Sequence, residues 1–179
     1  TYSWVLTDIS EITPEDQFAI TMKISNGTTY ELPSSNGSSS APGAIKVTIV
    51  DDKLSVAPTD VTTWTLTNDG GNYTFHPNGD NTKWLYCTNA NNGVRVGTNT
   101  NKTFILDANS GYLKNNETKR YIGIYNAQDW RCYTSTTGNI ANQKLGFYVK
   151  KSSVAMVTTY NSNPYCTTFS ATFHINANS

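Results

Sequence analysis

The sequence predicts an all-β protein, and three observations carry that prediction. Short β-branched and aromatic runs recur along the 179 residues, bounded by Asn, Gly, Asp and Pro. No apolar stripe of period 3.6 runs long enough for a helix. The chain also repeats itself at an offset of 36 residues, as a reiterated supersecondary unit does.

The strand runs fall at residues 3–7, 17–24, 28–32, 44–50, 63–67, 72–76, 83–87, 93–97, 102–106, 121–125, 130–133 and 145–149. Turn chemistry separates them. Asn26-Gly27, Asn36-Gly37, Asp69-Gly70-Gly71, Asn78-Gly79 and Asn92-Gly93 all offer positive φ. Asp51-Asp52-Lys53 reads as a hairpin tip. The one helix candidate is a single turn at residues 14–18, capped by Thr13. Many short strands at a spacing of about 8–12 residues predict a sandwich or a barrel.

The repeat narrows the choice. At the 36-residue offset Thr82-Lys83 falls on Thr118-Lys119, Trp84 on Arg120, Val94 on Trp130, and Arg95 on Arg131. A looser copy lies upstream, where Thr28-Thr29-Tyr30 precedes Ile45-Lys46-Val47. Each copy ends in a bulky apolar run: Trp64-Thr65-Leu66, Phe104-Ile105-Leu106 and Leu145-Gly146-Phe147-Tyr148. Three copies of a four-strand unit predict a β-trefoil, with Trp4 opening the first unit. A β-sandwich is the alternative. Residues 1–150 form this module. Residues 151–179 read as a linker or the start of a following β repeat domain, with an extra C-terminal strand at 167–175.

Composition limits the partners. Thirteen basic and thirteen acidic residues cancel, so there is no basic field for nucleic acid. No apolar run is long enough for a membrane span. Charged residues make up 15%, and Asn, Thr, Ser, Gly, Tyr and Trp supply the polarity instead, as on extracellular β-proteins. The chain opens Thr1-Tyr2-Ser3-Trp4 without an initiator Met, which reads as a piece of a longer protein. Cys87, Cys132 and Cys166 form no CxxC, so a metal knuckle is not expected. Three buried thiols, or one disulfide and one free thiol, both fit.

Two stretches resemble a known family: Trp84-Leu85-Tyr86-Cys87 with Asn92-Gly93-Val94-Arg95-Val96-Gly97, and residues 120–133 from Arg120-Tyr121-Ile122-Gly123 to Trp130-Arg131-Cys132-Tyr133. Trp4-Val5-Leu6-Thr7-Asp8 and Ser35-Asn36-Gly37 fit the same pattern. They resemble an accessory β domain of secreted proteins and lipoproteins of gut Bacteroidetes, over residues 2–150. The resemblance implies an extracellular or cell-surface location beside other domains of a parent protein. It implies no catalytic set and no ligand.

The residues themselves suggest no catalysis. Only His76 and His174 are present, neither in a nucleophile motif, and the paired acids Glu15-Asp16 and Asp51-Asp52 sit at turns. The protein is therefore not expected to be an enzyme, and no cofactor or metal is implied. The carbonyls of Asn89–Asn92 suit calcium, although turn formation explains them equally well.

The best candidate for binding is Tyr125-Asn126-Ala127-Gln128-Asp129-Trp130-Arg131, a strand, a polar turn and a strand. Sugar rings stack on aromatic faces while acid and amide groups take hydroxyls. The candidate ligand-binding residues are Trp84, Tyr125, Asn126, Asp129 and Trp130, with a glycan or polysaccharide as partner. Trp130 has a competing role as a core residue, because it aligns with Val94 and Ile45. Arg95, Arg131 and Lys46 recur at one position, which suggests a structural task for their stems. The expected function is a non-catalytic carbohydrate-binding module. The alternative is a structural spacer or adhesin-like interaction module without a glycan ligand, favoured if Trp84 and Trp130 are both buried.

Overall fold

A computed structural model describes residues 1–35 and 40–152, together with the backbone of Val157–Thr159 and Thr172–His174. The described chain is all-β. Its strands are β1 (Tyr2–Thr7), β2 (Phe18–Lys23), β3 (Thr29–Glu31), β4 (Ile45–Val47), β5 (Ile49–Val50), β6 (Lys53–Leu54), β7 (Trp64–Asp69), β8 (Asn72–Pro77), β9 (Trp84–Cys87), β10 (Val94–Gly97), β11 (Phe104–Leu106), β12 (Leu113–Asn115), β13 (Tyr121–Tyr125), β14 (Asp129–Tyr133) and β15 (Lys144–Ser152). In the tail, β16 (Val157–Thr159) pairs with β17 (Thr172–His174). The rest of the strand expected at 167–175 lies outside the described residues, as does Asn36-Gly37.

Antiparallel pairing joins thirteen of these strands into one sheet. Its central path runs β12-β11-β8-β7-β2-β15. Three hairpins stand off that path: β3–β4, β9–β10 and β13–β14. The first strand of each follows β2, β8 and β12 in turn. Four strands therefore recur three times in one order.

The core lies where the path strands meet. Phe18 (β2), Phe75 (β8) and Phe147 (β15) form a triangle with ring centroids 6.0–6.3 Å apart. Edge and stacked geometries at this spacing add to the burial energy. Trp64, Leu66 and Phe104, three of the bulky residues at the repeat ends, are buried here as the pattern predicts.

Several expectations change. The single helical turn expected at residues 14–18 is absent: Pro14 and Glu15 form a turn and Phe18 already begins β2, because Asp16 closes a local ring on Thr13, the Thr13 amide donating to Asp16 Oδ2 at 2.8 Å and the Asp16 amide to Thr13 O at 3.0 Å. The run 44–50 breaks at Thr48. β4 pairs with β3, whereas β5 pairs with β6 across the Asp51-Asp52 tip, where both residues have positive φ (52° and 58°). Trp4 does not open a repeat unit. β1 lies outside β15, and Trp4 packs with Ala19, Leu54 and Tyr148 in a second, smaller core. Gly93 is not among the positive-φ residues. A Cβ there would stand 2.0 Å from Thr88 Oγ1 and 2.7 Å from Ala90 O, so close approach demands the glycine.

The registers also correct the repeat. Lys46 faces Tyr30, Arg95 faces Tyr86 and Arg131 faces Gly123. The return strands keep the offset of 36, but the outgoing strand of the third hairpin is displaced by one further residue. Trp84 is therefore equivalent to Tyr121, not to Arg120.

Candidate functional site

Four of the five residues selected from sequence, Tyr125, Asn126, Asp129 and Trp130, fall on the hairpin β13–β14, and the structure does not gather them into one site. Trp130 is 0% exposed, with its indole Nε1 donating to Glu31 O at 3.0 Å. No face of the ring is open to a ligand, and Trp130 is corrected to a core residue. Its position explains this: it pairs with buried Ile124 on an inward-facing register.

Asp129 is engaged within its own strand. Arg131 Nε reaches Asp129 Oδ1 at 2.6 Å and a second guanidinium nitrogen reaches Oδ2 at 3.2 Å. The pair is bidentate and charge-assisted, and it holds the Arg131 guanidinium above its normal range. That guanidinium stacks 4.1 Å from the Tyr125 ring centre. Tyr125, Asp129 and Arg131 thus form a self-satisfied surface cluster. Asn126 sits in the turn at φ 50° and lines a separate cleft of about 260 Å³ beside Asn26, Asn139 and Gln143.

Trp84 lies on another hairpin and is half-buried. Its Nε1 donates to Asn99 O at 2.8 Å, Lys102 Nζ stands 3.9 Å from the ring centre, and His76 meets it edge-on. One face is thus held by a cation of the chain itself. His76 Nδ1 is 2.9 Å from Lys83 O, a structural contact. The side chain of His174 lies outside the described residues. The carbonyls near Asn89–Asn92 meet a guanidinium: Arg120 donates to Asn89 O at 2.9 Å and to Asn91 Oδ1 at 2.8 Å. Among the described residues no group of three or more His, Cys, Asp and Glu side chains is placed to hold a metal, and no helix is long and apolar enough to cross a membrane.

A different residue stands out. Glu31 ends β3 opposite Ile45. The equivalent pairs in the other hairpins are Cys87 with Val94 and Ile124 with Trp130. Cys87 and Ile124 are buried and apolar, and Glu31 takes their place as an acid that is only 5% exposed. Its Oε2 is buried and has no hydrogen-bond partner among the described groups. Burial pushes the carboxyl up to about 7, because desolvation disfavours the charged form. An unpaired buried carboxyl costs stability without returning packing, and such costs concentrate at functional sites.

Glu31 lines a cleft of about 350 Å³ between β4 and the segment leading to the short 3-10 turn Asp60–Thr62. Lys46, Thr48, Ser55, Thr59 and Thr62 also line it, the Thr59 and Thr62 hydroxyls lying 3.4 Å apart in the cap of the 3-10 turn. Ile45 (40% exposed) and Val56 (76% exposed) supply apolar surface. The floor is fixed from behind by two indoles, since Trp130 holds Glu31 O and Trp64 Nε1 holds Leu32 O at 2.9 Å.

Sequence reasoning missed Glu31 because it looked for aromatics at turns. The available signal was an acid between Tyr30 and Leu32 in a strand whose counterparts are apolar. The sequence matches no protein-family model and no curated protein.

Proposed function

We propose that this chain is a non-catalytic, extracellular β-trefoil module that binds a hydroxyl-rich glycan in the Glu31 cleft. The single observation that carries the reading is the buried, unpartnered carboxyl lining an open cleft. A carboxylate accepts bonds from paired sugar hydroxyls, the Thr and Ser hydroxyls extend that polar lining, and Ile45 and Val56 suit the apolar edge of a pyranose ring. One shallow site of this kind binds with Kd of about 0.1–1 mM, or roughly −4 to −5.5 kcal/mol.

Three features support the trefoil. The hairpins are threefold. The strands β2, β7, β8, β11, β12 and β15 supply the six staves such a barrel needs. Between β12 and β15, where no ladder closes the ring, the Tyr112 hydroxyl donates to Ile140 O at 2.5 Å and accepts from the Gln143 amide at 2.9 Å. The neutral, Asn- and Thr-rich composition, with the family resemblance of residues 2–150, supports a secreted or surface-anchored parent protein.

A spacer or protein-interaction module is the second reading. The burial of Trp130 and the internal pairing of Asp129 with Arg131 favour it for the third hairpin, although Trp84 keeps part of its ring exposed.

The test is a glycan array followed by affinity electrophoresis on soluble polysaccharides, with Glu31→Gln and Trp84→Ala alongside. Retardation of the parent chain, weakened at least about tenfold in Glu31→Gln and preserved in Trp84→Ala, supports the cleft. No retardation on any polysaccharide leaves the spacer reading in possession.

A further inference from the structure

Two thiols remain outside the cleft. Cys87 closes β9 on the second hairpin, Cys132 lies in β14 on the third, and both are buried and reduced. Both side chains belong to one buried core cluster. Cys132 Sγ also lies 3.2 Å from Ala90 O and 3.7 Å from the carbonyl of Thr88, the residue after Cys87. The backbone locks this arrangement. The Cys132 amide donates to Asn91 O at 2.9 Å, and Arg120 bridges Cys132 O and Asn91 Oδ1 at 3.1 and 2.8 Å. The 88–92 loop is thereby folded over the Cys132 sulfur, and Gly93 admits its close approach to Thr88.

We propose that Cys87 and Cys132 are a disulfide-forming pair that cross-links the second and third hairpins when the chain folds in the presence of a small-molecule disulfide. The Cys132 thiolate attacks one sulfur of the reagent, forms a mixed disulfide and expels one thiolate, which takes up the Cys132 proton. The Cys87 thiolate then attacks the Cys132 sulfur of that mixed disulfide. The second reagent thiolate leaves and takes the Cys87 proton. Two protein thiols are oxidised, one reagent disulfide is reduced to two thiols, and no other oxidant is needed.

In the folded chain Arg120 and Arg95 near Cys132 favour its thiolate, whereas burial pushes the Cys87 thiol up. Cys166 lies outside the described residues and is the competing partner to exclude.

The whole chain is refolded from denaturant in excess oxidised glutathione, alkylated, digested and mapped by mass spectrometry, with Cys166→Ser treated in parallel. The expected result is a linked Cys87–Cys132 peptide lacking two hydrogen atoms, present in both proteins and lost on reduction with dithiothreitol. Cys166 linked to either residue in the parent chain, or Cys87 and Cys132 both alkylated in both proteins, overturns the proposal.

Discussion

The indole nitrogen of Trp130 donates to the backbone carbonyl of Glu31 at 3.0 Å. A core ring on the third hairpin therefore holds in place the one acid of the first hairpin that is buried without a partner. The same bond takes Trp130 out of the surface role its sequence context suggested and gives Glu31 a rigid support.

Trp130→Ala is expected to act on stability. Removing a fully buried indole costs about 3–5 kcal/mol, read from the midpoint of urea unfolding. Trp84→Ala, at a half-buried ring, is expected to cost about half of that or less. Equal losses at the two positions would contradict the assignment of Trp130 to the core.

Glu31→Gln is expected to stabilise the fold in a pH-dependent manner. Burial raises the folded carboxyl from its ordinary value of 4.5 to about 7, so the folded chain holds its proton more tightly than the unfolded chain does. The stability this contributes is complete below the unfolded value and is lost as pH rises through the folded one. Glutamine does not titrate. The variant should match the parent at pH 4 and exceed it by about 1–3 kcal/mol at pH 8, checked by urea unfolding at both pH values.

Asp129→Asn is expected to cost about 1 kcal/mol, because the Arg131 pair is bidentate but still partly open to solvent, with side chains 19% and 14% exposed. It should leave glycan retardation unchanged, since Asp129 is already committed to Arg131. A loss of retardation in this variant would return the site to the third hairpin.

Gly93→Ala and Gly138→Ala are expected to diverge. A Cβ at Gly93 collides with Thr88 Oγ1 at 2.0 Å, whereas at Gly138 nothing lies within 4 Å. The first should cost about 1–3 kcal/mol or more and the second less than about 0.5 kcal/mol, compared by thermal unfolding.

Much of this architecture was legible in the sequence. Strand runs such as 63–67 (Thr63-Trp64-Thr65-Leu66-Thr67) and 72–76 alternate clearly, and turn residues punctuate them, so period and punctuation agree. β12 was not legible, because Leu113-Lys114-Asn115 has no β-branched residue and is too short for alternation to register; its neighbours make it a strand. β6 was hidden for a similar reason behind the tip at Asp51-Asp52. The threefold order was visible in the recurrence of Lys46, Arg95 and Arg131. A single offset could not give the equivalence of Glu31, Cys87 and Ile124, because the hairpin connections differ in length and only the hydrogen-bond register aligns them. The sequence candidates for binding passed over Glu31 for the same reason. Composition finds aromatics at turns, but an acid in an apolar position is seen only once the repeats are superposed strand by strand.

The most direct measurement is a backbone amide NMR titration of the parent chain with an oligosaccharide taken from the polysaccharide that retards it. The largest shifts should fall on Glu31, Thr48, Ser55 and Val56 around the cleft. Shifts centred on Tyr125, Asn126 and Asp129, or on Trp84, with the Glu31 region unmoved, would contradict it.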